Sequence, residues 1–127
     1  MKVAITISGS TIDAPFDARF GRAAAFCIVD TDAQEWVVRE NPALSDSGGA
    51  GVRAAQFIAK LGARAVVSGA FGPNAFDTLR AAEVAMYTAS ADRVFTGSQA
   101  LAMFEKGELP KATKATNAGH HGGGSGW

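Results

Sequence analysis

A helix-patterned segment sits just before a short buried strand in the middle of this chain, and that order leaves few folds open. Ala54, Phe57, Ile58 and Leu61 share one face of residues 50–61, with Arg53, Gln56 and Lys60 opposite and Gly62 as a natural stop. Ala65-Val66-Val67-Ser68 then reads as a buried strand. A second helix begins at Gly72-Pro73, with proline in the first turn where its missing N–H costs nothing, and Phe76 and Leu79 facing inward. Val84-Ala85-Met86-Tyr87 is a further strand. A helix between two strands of one sheet closes as a right-handed parallel crossover, so part of the sheet must be parallel and covered by helices.

The first half completes the pattern. Val3, Ile5 and Ile7 alternate along an opening strand, residues 2–8. A long loop, 9–23, leads to Phe26-Cys27-Ile28-Val29, a continuous apolar run suited to a strand covered on both faces. Trp36-Val37-Val38-Arg39 follows closely enough to form a hairpin with it, and Asn41-Pro42 breaks the strand. Near the other end, Thr96-x-x-Gln99 is a capping box for a third helix that stops at Gly107. The order β-β-β-α-β-α-β-α predicts a three-layer α/β/α domain with a five-stranded mixed sheet. Ligand sites in such sheets favour the carboxyl ends of the parallel strands: here Ser8-Gly9-Ser10, Ser68-Gly69-Ala70 and Thr88-Ala89.

Composition divides the chain into a folded domain, 1–109, and a tail, 110–127. The tail has no Val, Ile, Leu or Phe, and five of its last nine residues are glycine. It cannot bury enough apolar surface to offset the entropy of ordering, so it is expected to be mobile. Twelve basic residues balance twelve acidic ones, which argues against non-specific binding to a nucleic-acid backbone. No apolar run is long enough to span a bilayer, and the start lacks the features of a signal peptide. With a single cysteine, Cys27, there is neither an intrachain disulfide framework nor a four-cysteine metal cage, and a cytoplasmic protein is expected.

Three loops carry the chemistry. Ser45-Asp46-Ser47-Gly48-Gly49-Ala50-Gly51-Val52-Arg53 is a glycine-rich loop running into a helix, which exposes backbone N–H groups at the positive end of a helix dipole and suits an anion. It lacks the Gly-Lys-Ser/Thr of a Walker loop and is not Gly-x-Gly-x-x-Gly, so a flexible turn is the plainer reading. Ser68-Gly69-Ala70-Phe71-Gly72-Pro73-Asn74 is a second strand-to-helix loop, and the two are expected to line one cleft. In Asp17-Ala18-Arg19-Phe20-Gly21-Arg22, two arginines offer donors suited to oxyanions or an anionic cluster, or simply lie solvated at the surface. Cys27, inside an apolar run, reads as a small buried hydrophobe. His120 and His121, the only histidines, lie in the tail, where two adjacent imidazoles on an unheld chain would grip a metal weakly but can close over a cluster held elsewhere. Neither a catalytic triad nor a carboxylate-lined two-metal site can be assembled: Asp13, Asp17, Asp46 and Asp77 are scattered, and the opening strand holds no acid. Binding fits better than catalysis.

Taken together, the opening strand, Asp17-Ala18-Arg19-Phe20-Gly21-Arg22, Asn41, Gly48-Gly49-Ala50-Gly51, Ala54-Ala55, Gly69-Ala70-Phe71-Gly72-Pro73-Asn74-Ala75 and the His/Gly-rich end resemble the dinitrogenase iron–molybdenum cofactor biosynthesis family over residues 1–107. The resemblance implies a ribonuclease H-like fold without nuclease activity and a carrier for a molybdenum-containing metal–sulfur cluster. One branch serves nitrogenase cofactor assembly. Another, of small stand-alone domains, includes a non-covalent holder of a molybdenum–sulfide–copper cluster and often accompanies MinD/Mrp-like ATPases. Some relatives use a histidine of the folded domain for the cofactor, and this chain has none there. The expected cradle is therefore electrostatic: backbone N–H groups of Gly48, Gly49, Ala50, Gly51, Gly69 and Gly72, the Phe20-Gly21 turn, Pro73, and Arg19, Arg22 and Arg53, with Ser10 and Thr11 as further donors and Cys27, His120 and His121 optional. A monomer or weak dimer is expected. The alternatives are a phosphate- or nucleotide-binding module, or an interaction partner of the ATPase with no ligand of its own.

Overall fold

From Val3 to Ile7 every side chain of β1 (Lys2–Ile7) is buried, which requires neighbours on both edges and cover on both faces. The computed structural model, which describes residues 1–116, supplies both. β1 is the middle of a five-stranded sheet ordered β3-β2-β1-β4-β5. On one side it pairs antiparallel with β2 (Ala25–Asp30), from Lys2 opposite Asp30 to Ile7 opposite Ala25, and β2 forms the hairpin with β3 (Glu35–Glu40). On the other side it pairs in parallel with β4 (Ala63–Ser68), which pairs in parallel with β5 (Ala85–Thr88). This is the mixed sheet expected from the order of elements, in the ribonuclease H-like layout that the family resemblance implies.

The crossovers are α1 (Ala50–Lys60) and α2 (Pro73–Ala81), and α3 (Gly97–Glu105) follows β5. Ala54, Ala55 and Ile58 of α1 and Ala75, Phe76 and Leu79 of α2 pack on the sheet face that carries Ala4, Phe26, Ile28, Val66 and Met86. Ala100, Leu101 and Phe104 of α3 cover the opposite face, with Val3, Ile5, Ile7, Cys27 and Val67. The domain is thus a three-layer α/β/α sandwich. Fully buried side chains such as Phe26, Ile58 and Leu79 each contribute about 1.5–3 kcal/mol through removal from water. The helix ends follow their signals: the residue after the Leu61 C-cap is Gly62, at φ 91°, and Thr96 and Gln99 form a reciprocal capping box on α3. No helix among the described residues is long and apolar enough to cross a membrane.

The compositional boundary at Leu109 does not mark the end of packed chain. Lys111 forms an antiparallel bridge with Tyr87, the Thr88 N–H donates to Pro110 O, and the Ala112 N–H donates to Met86 O. Ala112 and Ala115 pack on the α1/α2 core. This correction has a simple cause. The open edge of β5 presents unpaired main-chain groups, and pairing with them needs no large apolar side chain. His120 and His121 lie outside the described residues.

Candidate functional site

At the carboxyl end of the parallel strands, the first turns of α1 and α2 face one another across a cleft of about 280 Å³. Gly49, Ala50, Gly51 and Val52 form one wall, Gly72, Pro73, Asn74 and Ala75 the other, and Gly21 and Arg22 close the rim. All three loops singled out by sequence therefore meet here. Neither helix has a side-chain cap, and neither has an acidic residue in its first turn. The open first-turn amides and the positive ends of both helices are thus directed at one space, which favours an anion.

Small residues make this convergence physical. A Cβ on Gly21 would lie 3.0 Å from the main chain of Gly51, and one on Gly51 would lie 3.1 Å from the Ala75 Cβ. Gly49 adopts φ 72°, a left-handed turn into the helix that glycine makes at least cost. Gly48 is exposed with open space around it and does not line the cleft.

The 17–22 segment is split by function. Phe20 is 2% exposed, its ring 5.6 Å from Phe26 and 5.4 Å from Phe71, so it is a core anchor and not a ligand contact. Its insertion fixes where Gly21 and Arg22 emerge. The buried Asn41 carboxamide holds the same turn, donating to Gly21 O at 3.1 Å and Ala23 O at 2.9 Å while accepting from the Ala43 N–H. Arg22 Nη1 donates to the Asp46 carbonyl at 2.8 Å, and Arg53 Nη1 donates to the Asp46 carboxylate at 2.9 Å. Asp46 neutralises one of the two guanidinium charges and leaves the other on the rim. Asp46 and Asn41 as positioning residues, and Asn74 as lining, were not assigned from sequence. In the sequence Asn41 stands out as a strand breaker and as one element of the family pattern, without a role in the site.

Arg19 points elsewhere. Its guanidinium grips the buried carboxylate of Asp17, with Nε and Nη2 each at 3.2 Å, and Asp17 also accepts from the Arg19 N–H and the Ser8 hydroxyl. Burial alone would raise the Asp17 pKa, but these hydrogen bonds and the Arg19 charge outweigh it and hold the carboxyl below its ordinary range. The pair serves to pin the loop across the end of β1.

Gly69 also has a packing role: a Cβ there would meet Ala18 at 2.4 Å, because Arg19 bridges to Ala70 alongside it. It faces a separate cavity of about 660 Å³ on the α3 side, lined also by Thr88, Ala89, Arg93 and Met103. Ser10 and Thr11 lie in an exposed loop next to the start of α3, lining neither cavity. Cys27 is completely buried, and that burial pushes its thiol up to about 11, well above the range in which a thiolate ligates metal at neutral pH. Among the described residues no group of three or more His, Cys, Asp or Glu could hold a metal ion. The cleft therefore offers hydrogen-bond donors and positive charge, a donor set suited to an anionic cargo held by its outer atoms.

Comparison with known proteins places the whole chain. A profile of the family described as dinitrogenase iron-molybdenum cofactor matches residues 1–107. The solved apo form of the orange protein from Desulfovibrio gigas is 36% identical, covering 91% of this chain and 96% of its own, with a TM-score of 0.85. An NMR structure from Thermotoga, described as a NifB protein of the DUF35 family, is 32% identical, covering 93% and 98% of the two chains, with a TM-score of 0.80. No curated protein matches significantly in sequence.

Proposed function

The chain belongs to the dinitrogenase iron–molybdenum cofactor family, and from that premise we propose that it carries an anionic, molybdenum-containing metal–sulfur cluster in the cleft between α1 and α2. The observation that carries this reading is the pair of uncapped helix N-termini facing across one space, with Arg22 on the rim. Sulfides and oxides at the outside of a cluster accept N–H hydrogen bonds, and the two dipoles stabilise its negative charge without any bond to metal. The described lining holds no residue placed as acid, base or nucleophile, which supports carriage over catalysis. A molybdenum–sulfide–copper cluster or a nitrogenase cofactor precursor has the required charge and surface.

The test is anaerobic loading of the purified protein with tetrathiomolybdate and copper(I), followed by gel filtration and elemental analysis. Near-stoichiometric molybdenum that co-elutes with the chain, with a visible charge-transfer band, is expected. Molybdenum that elutes entirely in the small-molecule fraction overturns the reading. The same amides accept phosphate oxygens, so melting curves with inorganic phosphate and with nucleotides form a second arm. A ligand bound to the native state raises the melting temperature, and a large rise with nucleotide but none with the thiometallate favours the phosphate-binding alternative.

A further inference from the structure

The two edges of the sheet differ. β5 is covered by the chain that follows it, through the Lys111 bridge to Tyr87. β3, at the other edge, pairs only with β2 among the described residues. Its register with β2 runs unbroken from Glu35 opposite Asp30 to Glu40 opposite Ala25. It has no proline, lysine or bulge, the devices that commonly keep an open edge from pairing. Trp36 and Val37 are 45% and 44% exposed. Glu35 stands opposite a like charge, and neither Glu35 nor Arg39 makes an ion pair among the described residues.

We propose that β3 is a docking edge for a second copy of this chain, paired antiparallel about a two-fold axis at Val37. Main-chain geometry narrows the choice. Along a strand, the N–H and C=O groups point alternately to one edge and to the other, and an antiparallel pair bonds only where both residues direct theirs across the seam. Two copies of one strand therefore match odd residues with odd and even with even. An axis at Val37 sets Val37 against its own equivalent, Trp36 against the equivalent of Val38, and Glu35 against the equivalent of Arg39. That ion pair forms twice, once on each side of the axis. Glu35, Val37 and Arg39 share one sheet face, since Val37 lies opposite Ile28 and Arg39 opposite Phe26, both on the α1/α2 side. An axis at Trp36 sets Glu35 against Val37, and an axis at Val38 sets Val37 against Arg39, so neither makes an ion pair. The charges thus select one register. The cleft takes no lining residue from β3 and stays open in both copies, so the dimer is independent of the carrier reading.

Sedimentation equilibrium of the full chain, from micromolar to millimolar concentration, is the test. The mass is expected to rise from 13.0 kDa towards twice that value. Glu35→Arg and Arg39→Glu each set like charges together at two places, and each is expected to weaken the dimer about tenfold or more. The exchanged pair, Glu35→Arg/Arg39→Glu, is expected to restore it. A chain that stays at 13.0 kDa throughout overturns the proposal. So does a dimer indifferent to the single reversals, or a loss that the exchanged pair does not recover. The unaltered chain gives a check that needs no variant. With ¹⁵N labelling, the amide signals of Trp36, Val37 and Val38 are expected to shift as concentration rises, while that of Lys111 on the far edge stays in place. Association that leaves the β3 signals unmoved overturns the proposal.

Discussion

The guanidinium of Arg22 and the main-chain carbonyl of Asp46 meet at 2.8 Å, although they are 24 residues apart in sequence. This bond ties the Phe20-Gly21 turn to the loop that feeds α1, and it holds a positive charge at the cleft rim without neutralising it. Arg53 takes the Asp46 carboxylate instead and stays outside the lining. The two arginines therefore have unequal roles.

Arg22→Ala is expected to weaken cluster retention about tenfold or more, since a hydrogen bond involving a charged group contributes roughly 1.5–3 kcal/mol. Arg53→Ala should cost less, acting only through release of Asp46. Dissociation rates measured after loading, at low and high salt, check this. Equal rates for wild type and Arg22→Ala would remove the electrostatic cradle.

Gly21→Ala is expected to destabilise the fold by about 1–3 kcal/mol, because its Cβ would press on the Gly51 backbone at 3.0 Å. Gly48→Ala, which meets nothing within 4 Å, should stay within about 0.5 kcal/mol of wild type. Urea denaturation of both variants provides the comparison.

Asp17 sets an acid limit. Its folded-state pKa lies below the ordinary 3.8, so the stability it contributes is fully present above that value and is lost as pH falls through the lower, folded-state value. The difference in unfolding free energy between wild type and Asp17→Asn should be steady near neutrality and shrink below about pH 3.8. A gap that persists unchanged at pH 2 would show that the carboxylate charge is not what stabilises the loop.

Cys27 should resist thiol reagents at pH 8 in the native protein and react at once in denaturant, since it is both sealed and held protonated. Cys27→Ala should leave cluster retention unchanged and cost about 1 kcal/mol of stability, comparable to deleting one buried methyl group. Rapid labelling of native protein would contradict this burial.

A chain ending at Thr116 should be more stable than one ending at Leu109 by about 1–3 kcal/mol. The shorter form loses the Lys111 bridge, the Ala112–Met86 bond and both bonds to Phe71. Identical melting temperatures for the two would mean that residues 110–116 add nothing to the stability of the fold.

Local signals made most of the architecture readable. Alternation placed β1, the Phe26–Val29 run announced a strand covered on both faces, Gly62 and Pro73 punctuated the helices, and Thr96 with Gln99 capped α3. Each acts within a few residues, so each leaves a local imprint. What escaped depends on partners distant in the chain. Phe20 resembles an exposed loop aromatic until Phe26 and Phe71 close around it. Gly69 resembles a phosphate-loop glycine until Ala18 crosses it. The packing of residues 110–116 was hidden because it comes largely from main-chain hydrogen bonds, to which composition is blind. A shared cleft for the 45–53 and 68–74 loops followed from the parallel topology, but the division of labour between Arg19, bound to Asp17, and Arg22, bound at the rim, depended on side-chain directions that spacing does not encode.

The cleft draws its walls from Gly21, Gly49–Val52 and Gly72–Ala75, three stretches brought together only when β4 has docked beside β1. A nascent chain that has emerged only as far as α1 has one wall and no opposing dipole. On the proposed carrier reading, capture of cargo would be reserved for molecules that have completed their topology, because a half-made chain offers no closed cleft in which to hold it.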